Sequence, residues 1–146
     1  MTLVIDTNIV FSTLLNPHSI IGEILMNVQD NFTFVAPALL VEEIERYSSR
    51  IELYSKLKSK EIQIVKTLVL KSIELISEEL ITKNNWLKAF ELTKDIDEFD
   101  TPFVALSLEL NARLWTGDKK LINGLKSKNN NLAISTDEMK ALILKF

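Results

Sequence analysis

The chain has 146 residues and a mass of 16.7 kDa, with 47% apolar and 25% charged residues but only three glycines and three prolines. That balance excludes a collagen-like, linker-like or disordered polymer and predicts one folded domain over residues 1–146. With no cysteine and a single histidine, His18, thiolate zinc sites, iron–sulfur centres and cysteine nucleophiles are excluded, and histidine-rich metal sites or a Ser-His-Asp hydrolase are poor fits. The formal charge of −3 is too mild for a general polyanion-binding surface, so any nucleic-acid contact would come from a local patch.

The apolar runs fall far short of the roughly 20 residues that span a bilayer. Met1 leads directly into Leu3-Val4-Ile5 without a basic segment or cleavage site. These features predict a soluble, cytoplasmic protein with no membrane partner.

In chain order, Leu3-Val4-Ile5 reads as a buried strand ending at Asp6, because β-branched residues favour extended backbone. A helix follows from Asn8, Pro17 interrupts it, and Ile20, Ile21, Ile24, Leu25 and Val28 recur at helical spacing. Phe32 to Ala36 reads as a second strand, with Pro37 suited to the first turn of a helix. From Ala38 to about Lys60 the apolar positions advance by three and four, which predicts one long helix. Leu68 to Ile81 reads as helical, and Asn84-Asn85 as a turn before a shorter segment around Trp86 to Leu92. Asp100 can cap a helix from Thr101-Pro102 to Asn111. Ala112–Thr116 is the third strand candidate, a short helix follows around Leu121 to Leu125, Leu132–Ser135 is the fourth strand, and Asp137 can cap a final helix. Alternating strands and helices predict an α/β protein, three layers with a mainly parallel central sheet.

Four acids occupy telling positions. Asp6 follows the first strand, Glu42 lies early in the helix after the second, Asp100 opens a helix, and Asp118 follows the third strand; the gaps are 36, 58 and 18 residues. In an open α/β sheet such positions converge at the carboxyl ends of the strands, where ligands bind. Carboxylates brought together repel one another unless a cation joins them, and oxygen-only ligation suits magnesium or manganese. Each of these aspartates also stands where a structural cap or turn aspartate would stand, and Glu42 belongs to the charged run Glu42-Glu43-Glu45-Arg46.

Four fragments, Leu3-Val4-Ile5-Asp6-Thr7-Asn8, Pro37 to Ile44, Asp100 to Leu106, and Leu114-Trp115-Thr116-Gly117-Asp118-Lys119-Lys120-Leu121, together resemble the PIN-domain family of metal-dependent nucleases over nearly the whole chain. The resemblance implies a homodimerising α/β/α domain that cleaves RNA, or DNA in some branches, at an acidic pocket. Carried onto this sequence, it makes Asp6, Glu42, Asp100 and Asp118 the catalytic and metal-binding set for one or two Mg2+ or Mn2+ ions. Glu43 competes with Glu42 for its place, since about 100° of helix rotation separates them. Asp97 is the auxiliary acid, and Asn8 and Thr116 are neutral groups for orienting ligands or the scissile phosphate. Lys119 and Lys120 are candidates for contacts to flanking phosphates. The toxin-like branch of the family would add an inhibitory antitoxin protein. The alternative is a noncatalytic domain of the same fold that binds protein or RNA. No glycine-rich phosphate loop supports nucleotide hydrolysis or dinucleotide binding.

Overall fold

Thr2–Ile5 forms strand β1, in which Leu3, Val4 and Ile5 are wholly buried. A strand covered on both faces has no wet side, hence a continuous apolar run rather than an alternating one. The computed structural model describes residues 1–146, and β1 is the centre of its five-stranded sheet. The other strands are β2 (Thr33–Pro37), β3 (Ile73–Ile76), β4 (Arg113–Trp115) and β5 (Ala133–Ile134). Their order is β3-β2-β1-β4-β5 and every pairing is parallel, with Val4 opposite Val35 on one side and Leu114 on the other.

Helices α1 (Thr7–Leu15) and α2 (Ile20–Asn27) connect β1 to β2, and α3 (Leu40–Arg46), α4 (Ser48–Tyr54) and α5 (Ser59–Lys71) connect β2 to β3. The chain then returns past β1 through α6 (Lys83–Thr93) and α7 (Thr101–Leu110) to β4, through α8 (Lys119–Ser127) to β5, and ends in α9 (Thr136–Ile143). Right-handed crossovers running outward in two directions place α1–α5 on one face and α6–α8 on the other. Accordingly α1 packs against α2 to α5, and α6 against α7 and α8. The three-layer α/β/α architecture with a parallel sheet is thus the one the sequence predicts, with a core of 33 buried apolar residues. The strand order reverses direction between β1 and β4, so the crevice beyond their carboxyl ends is the natural ligand position.

Several local expectations are corrected. The sheet has five strands instead of four, because Leu68–Ile81 is not one helix: α5 stops at Lys71, and Ile73–Ile76 pairs with Phe34–Pro37. Over so short an apolar run helical and extended periods are indistinguishable, and the unpaired edge of β2 decides. The single helix predicted from Ala38 is broken at Tyr47, where φ is −99° and ψ 12°, and again after Tyr54. There the Ser55 hydroxyl donates to the Leu14 carbonyl at 2.7 Å and Lys56 N–H to the Leu15 carbonyl at 3.0 Å, tethering the chain to the end of α1. Pro37 ends β2 instead of opening a helix, and Asn84-Asn85 lies within α6. The cap of α9 is Ser135, whose hydroxyl accepts from Glu138 N–H at 3.1 Å, while Asp137 sits in the first turn. No single helix is long and apolar enough to cross a membrane.

Candidate active site

Asp6 stands where β1 ends, its N–H donating to the Trp115 carbonyl of β4 at 3.1 Å. Its Oδ2 accepts from the Thr116 hydroxyl at 2.7 Å and from Asn8 Nδ2 at 3.1 Å. The same Asn8 amide also donates to Thr116 Oγ1 at 3.1 Å, and Asn8 Oδ1 accepts from Gly117 N–H at 3.0 Å. Thr116 Oγ1 in turn accepts from Asp118 N–H at 3.0 Å. A hydroxyl has one proton and two lone pairs, so Thr116 spends its proton on Asp6 and accepts from Asn8 and Asp118. Asn8 and Thr116 therefore lace the ends of β1 and β4 together and hold the Asp6 carboxylate in one orientation.

Of the two adjacent glutamates of α3, Glu43 is the one that lines the same cavity as Asp6. Leu40 and Ile44 are buried and fix the rotation of this helix. At about 100° per residue, Glu42 lies about 180° from the direction those two share, while Glu43 lies only about 80° from it. Glu43 accordingly is half-buried and lines the central cavity, whereas Glu42 is exposed and lines only a neighbouring cavity of about 220 Å³. Of the two, Glu43 therefore shares the cavity of Asp6 and Asp100, and Glu42 lies outside it. Leu40 and Ile44, four residues apart, were the signal that distinguishes the two.

Asp97 and Asp100 come from the turn between α6 and α7. Asp97 Oδ1 accepts from Phe99 N–H at 3.0 Å, and the buried Thr93 and Thr101 hydroxyls, 2.7 Å apart, fasten this turn to the end of α6. Asp100 occupies the N-cap position of α7 but makes no capping hydrogen bond, and its Oδ2 is buried without a partner. Asp118 does cap: its Oδ1 accepts from Lys120 N–H at 2.9 Å and Leu121 N–H at 3.2 Å. The capping explanation thus accounts for Asp118 and fails for Asp100.

Asp6, Glu43, Asp97 and Asp100 line one cavity of about 360 Å³. Asp118 is half-buried nearby, and its charge acts on both Asp6 and Asp100. Burial pushes the Asp6 carboxyl up to about 6, against the Thr116 hydrogen bond that favours its charged form. Burial pushes Asp100 further, to about 8, with the charges of Asp6, Asp97, Asp118 and Glu43 adding to the rise. Glu43 is also raised, first by burial; the Thr7 hydroxyl and Arg46 offset part of this, Thr7 without reaching full hydrogen-bonding geometry. Two buried side-chain oxygens in the molecule lack a partner, Thr7 Oγ1 and Asp100 Oδ2, and both belong to residues lining this cavity. An orphaned carboxylate oxygen among repelling acids is the donor chemistry of a hard divalent cation. No group of three or more His, Cys, Asp or Glu side chains is arranged so that it could hold a metal ion.

The rest of the lining includes Phe11, Arg46, Tyr47, Arg50, Phe99 and Phe103. Nothing in the linear pattern separates the two arginines from the other charged residues of α3 and α4. Lys119 and Lys120 are exposed on the first turn of α8, outside the cavity lining. Farther along the chain, Lys126 faces Glu138 at 3.5 Å, and Lys128 pairs with Asp95 and donates to the Leu92 carbonyl.

An open parallel sheet with an acidic crevice at its switch point defines the class, and residues 4–141 match the model of the PIN domain. The chain belongs to the PIN-domain family. It is similar to a chain in the crystal structure of VapBC2 from Rickettsia felis bound to a DNA fragment from their promoter, at 20% identity and a TM-score of 0.64, covering 92% of this chain and 98% of that one. It is also similar to a PilT N-terminus domain protein from the archaeon Sulfolobus solfataricus, at 20% identity and a TM-score of 0.57, covering 100% and 96%. A comparison with curated protein sequences finds no significant match.

Proposed function

We propose that this PIN-domain protein is a magnesium- or manganese-dependent endoribonuclease. The observation that supports it is Asp100, a half-buried carboxylate with one buried, unpartnered oxygen, its pKa raised to about 8 beside three more acids in one cavity. Asp6, Glu43, Asp100 and Asp118 would hold one or two ions, with Glu43 taking the place first given to Glu42. A divalent cation bound there supplies charge neutralisation and Lewis acidity toward the phosphodiester. Asn8 and Thr116 keep Asp6 oriented. Asp97, exposed at the rim, receives the proton of the attacking water. Lys119 and Lys120 meet phosphates farther along the strand. RNA is favoured over DNA on the family resemblance.

The same reading extends to the toxin-like branch, in which an inhibitory antitoxin would bind this domain, and to a homodimer. Ile64 and Leu68, exposed one turn apart on α5, offer apolar surface for a second copy. Light scattering that gives one monomer mass at every concentration would reject the dimer, and unaffected growth on expression would reject the toxin.

The deciding assay incubates structured RNA, single-stranded RNA and single-stranded DNA with the protein and with its folded Asp6→Asn form. Cutting of RNA that chelation and Asp6→Asn both abolish is expected. Equal traces from both proteins would expose a contaminant. Absence of cutting from all substrates would leave the noncatalytic binding module as the reading.

A further inference from the structure

The part of the cleft not built from carboxylates has a chemistry of its own. Arg46 ends α3 and Arg50 lies in α4, and neither takes part in any of the seven ion pairs of the molecule. Arg50 is nevertheless held in place, its guanidinium 5.9 Å above the Tyr47 ring, which in turn meets Phe11 edge-on at 6.1 Å. Phe99 is 74% exposed although it lines both this cavity and its smaller neighbour. Its backbone is fixed by the Asp97 carboxylate and the tight turn Glu98–Asp100, so the ring is presented from a rigid base. Two unpaired guanidiniums beside an open aromatic face match a phosphate and the base attached to it. They are also the positive charge that an RNA backbone needs beside a pocket of acids.

We propose that this half of the cleft is a subsite for one unpaired nucleotide of single-stranded RNA, with Arg46 and Arg50 on the phosphate flanking the cut and Phe99 stacked on the base. The inference rests on the nuclease reading above and sharpens its substrate to RNA with an unstacked nucleotide at the cut. A nucleotide inside a duplex has both base faces covered by its neighbours and cannot stack on Phe99. The cavity these side chains share with the acids has a volume of about 360 Å³, within the roughly 300–1,000 Å³ of small-ligand sites.

The test measures fluorescence anisotropy with magnesium on the Asp6→Asn background, using an unstructured labelled RNA of about ten nucleotides and the same strand annealed to its complement. Single-stranded RNA should bind more tightly than the duplex. Phe99→Ala should weaken single-strand binding about 5- to 100-fold and leave duplex binding alone, while Phe99→Trp restores it. Arg50→Ala should lower the slope of log affinity against log salt by about 0.7, the contribution of one phosphate contact on a single strand. Circular dichroism checks that each variant is folded, as expected for exposed positions. Unchanged single-strand binding by Phe99→Ala and Arg50→Ala, or no binding by the parent, overturns the subsite. Magnesium-dependent cutting by the wild-type protein, assayed separately, then says whether the nuclease reading survives. Loss of a protein partner, with RNA binding intact, would reassign the face to protein docking and equally overturn the proposal.

Discussion

Asp100 sits at a helix start, where aspartate ordinarily earns its place by accepting backbone N–H groups, yet it accepts none. Asp118, at the start of α8, accepts two. The contrast separates a carboxylate kept for something else from one whose first oxygen already has a structural task. It also explains why sequence alone weighed the two equally: spacing shows where an aspartate stands along the chain, and only the surrounding atoms show whether its oxygens are used. Glu42 and Glu43 differ in the same way, by rotation around α3. Glu43→Gln and Asp100→Asn should lower the rate of RNA cutting by at least about a hundredfold, the scale of a lost catalytic carboxylate. Glu42→Gln should change it by less than about threefold, as suits an exposed side chain. Single-turnover cleavage at saturating magnesium checks both, and the opposite ranking would return the role to Glu42.

At the scale of elements, the strands ending at Ile5 and Trp115 were legible because both are short, mainly buried and mainly apolar stretches closed by a polar residue, Asp6 and Thr116. β3 was not, since its four residues fit either period and its identity is set by pairing with β2. The corner between α1 and α2 shows a tertiary demand on one residue. A Cβ added at Gly22 would lie 2.4 Å from the Pro17 carbonyl oxygen and 2.8 Å from its Cα, backbone atoms that cannot step aside. At Gly117, beside the site, the nearest atom would be Asn8 Oδ1 at an ordinary 3.5 Å. Gly22→Ala should therefore cost about 1–3 kcal/mol, as overpacking does, while Gly117→Ala should stay within about 0.5 kcal/mol. Urea denaturation of the two variants measures this; equal midpoints would show that the α1–α2 corner can open.

For the whole molecule, the acidic cleft sets the sign of the pH dependence of stability. Aspartates in the unfolded chain ionise near 3.9, while in the folded chain Asp6 is raised to about 6 and Asp100 to about 8. Between those values the folded state holds more protons than the unfolded one, so stability falls as pH rises. The contribution is fully present below about 3.9 and is lost as pH climbs through about 6 and then about 8. In chelator, the melting temperature should drop from about pH 5 to about pH 8.5, and Asp100→Asn should flatten the upper part of that decline. Magnesium should reverse the loss, by about 2.7 kcal/mol at a concentration 100-fold above its Kd, and more at the alkaline end because it competes with protons. A melting temperature indifferent to magnesium at every pH would remove the cation from the cleft.

The motifs at the strand ends carried the family resemblance, while composition and local pattern determined the α/β class, the parallel sheet and the absence of thiol chemistry. These are properties of burial period and chain order, which the residues carry wherever they sit. Tertiary structure decided what depends on rotation and on contact across the chain: the fifth strand, the breaks at Tyr47 and Ser55, which of Glu42 and Glu43 lines the cavity, and the unpartnered oxygen of Asp100. It also brought Arg46, Arg50 and Phe99 to the acidic cleft, for a linear pattern records which face of an element is apolar but not what stands opposite it.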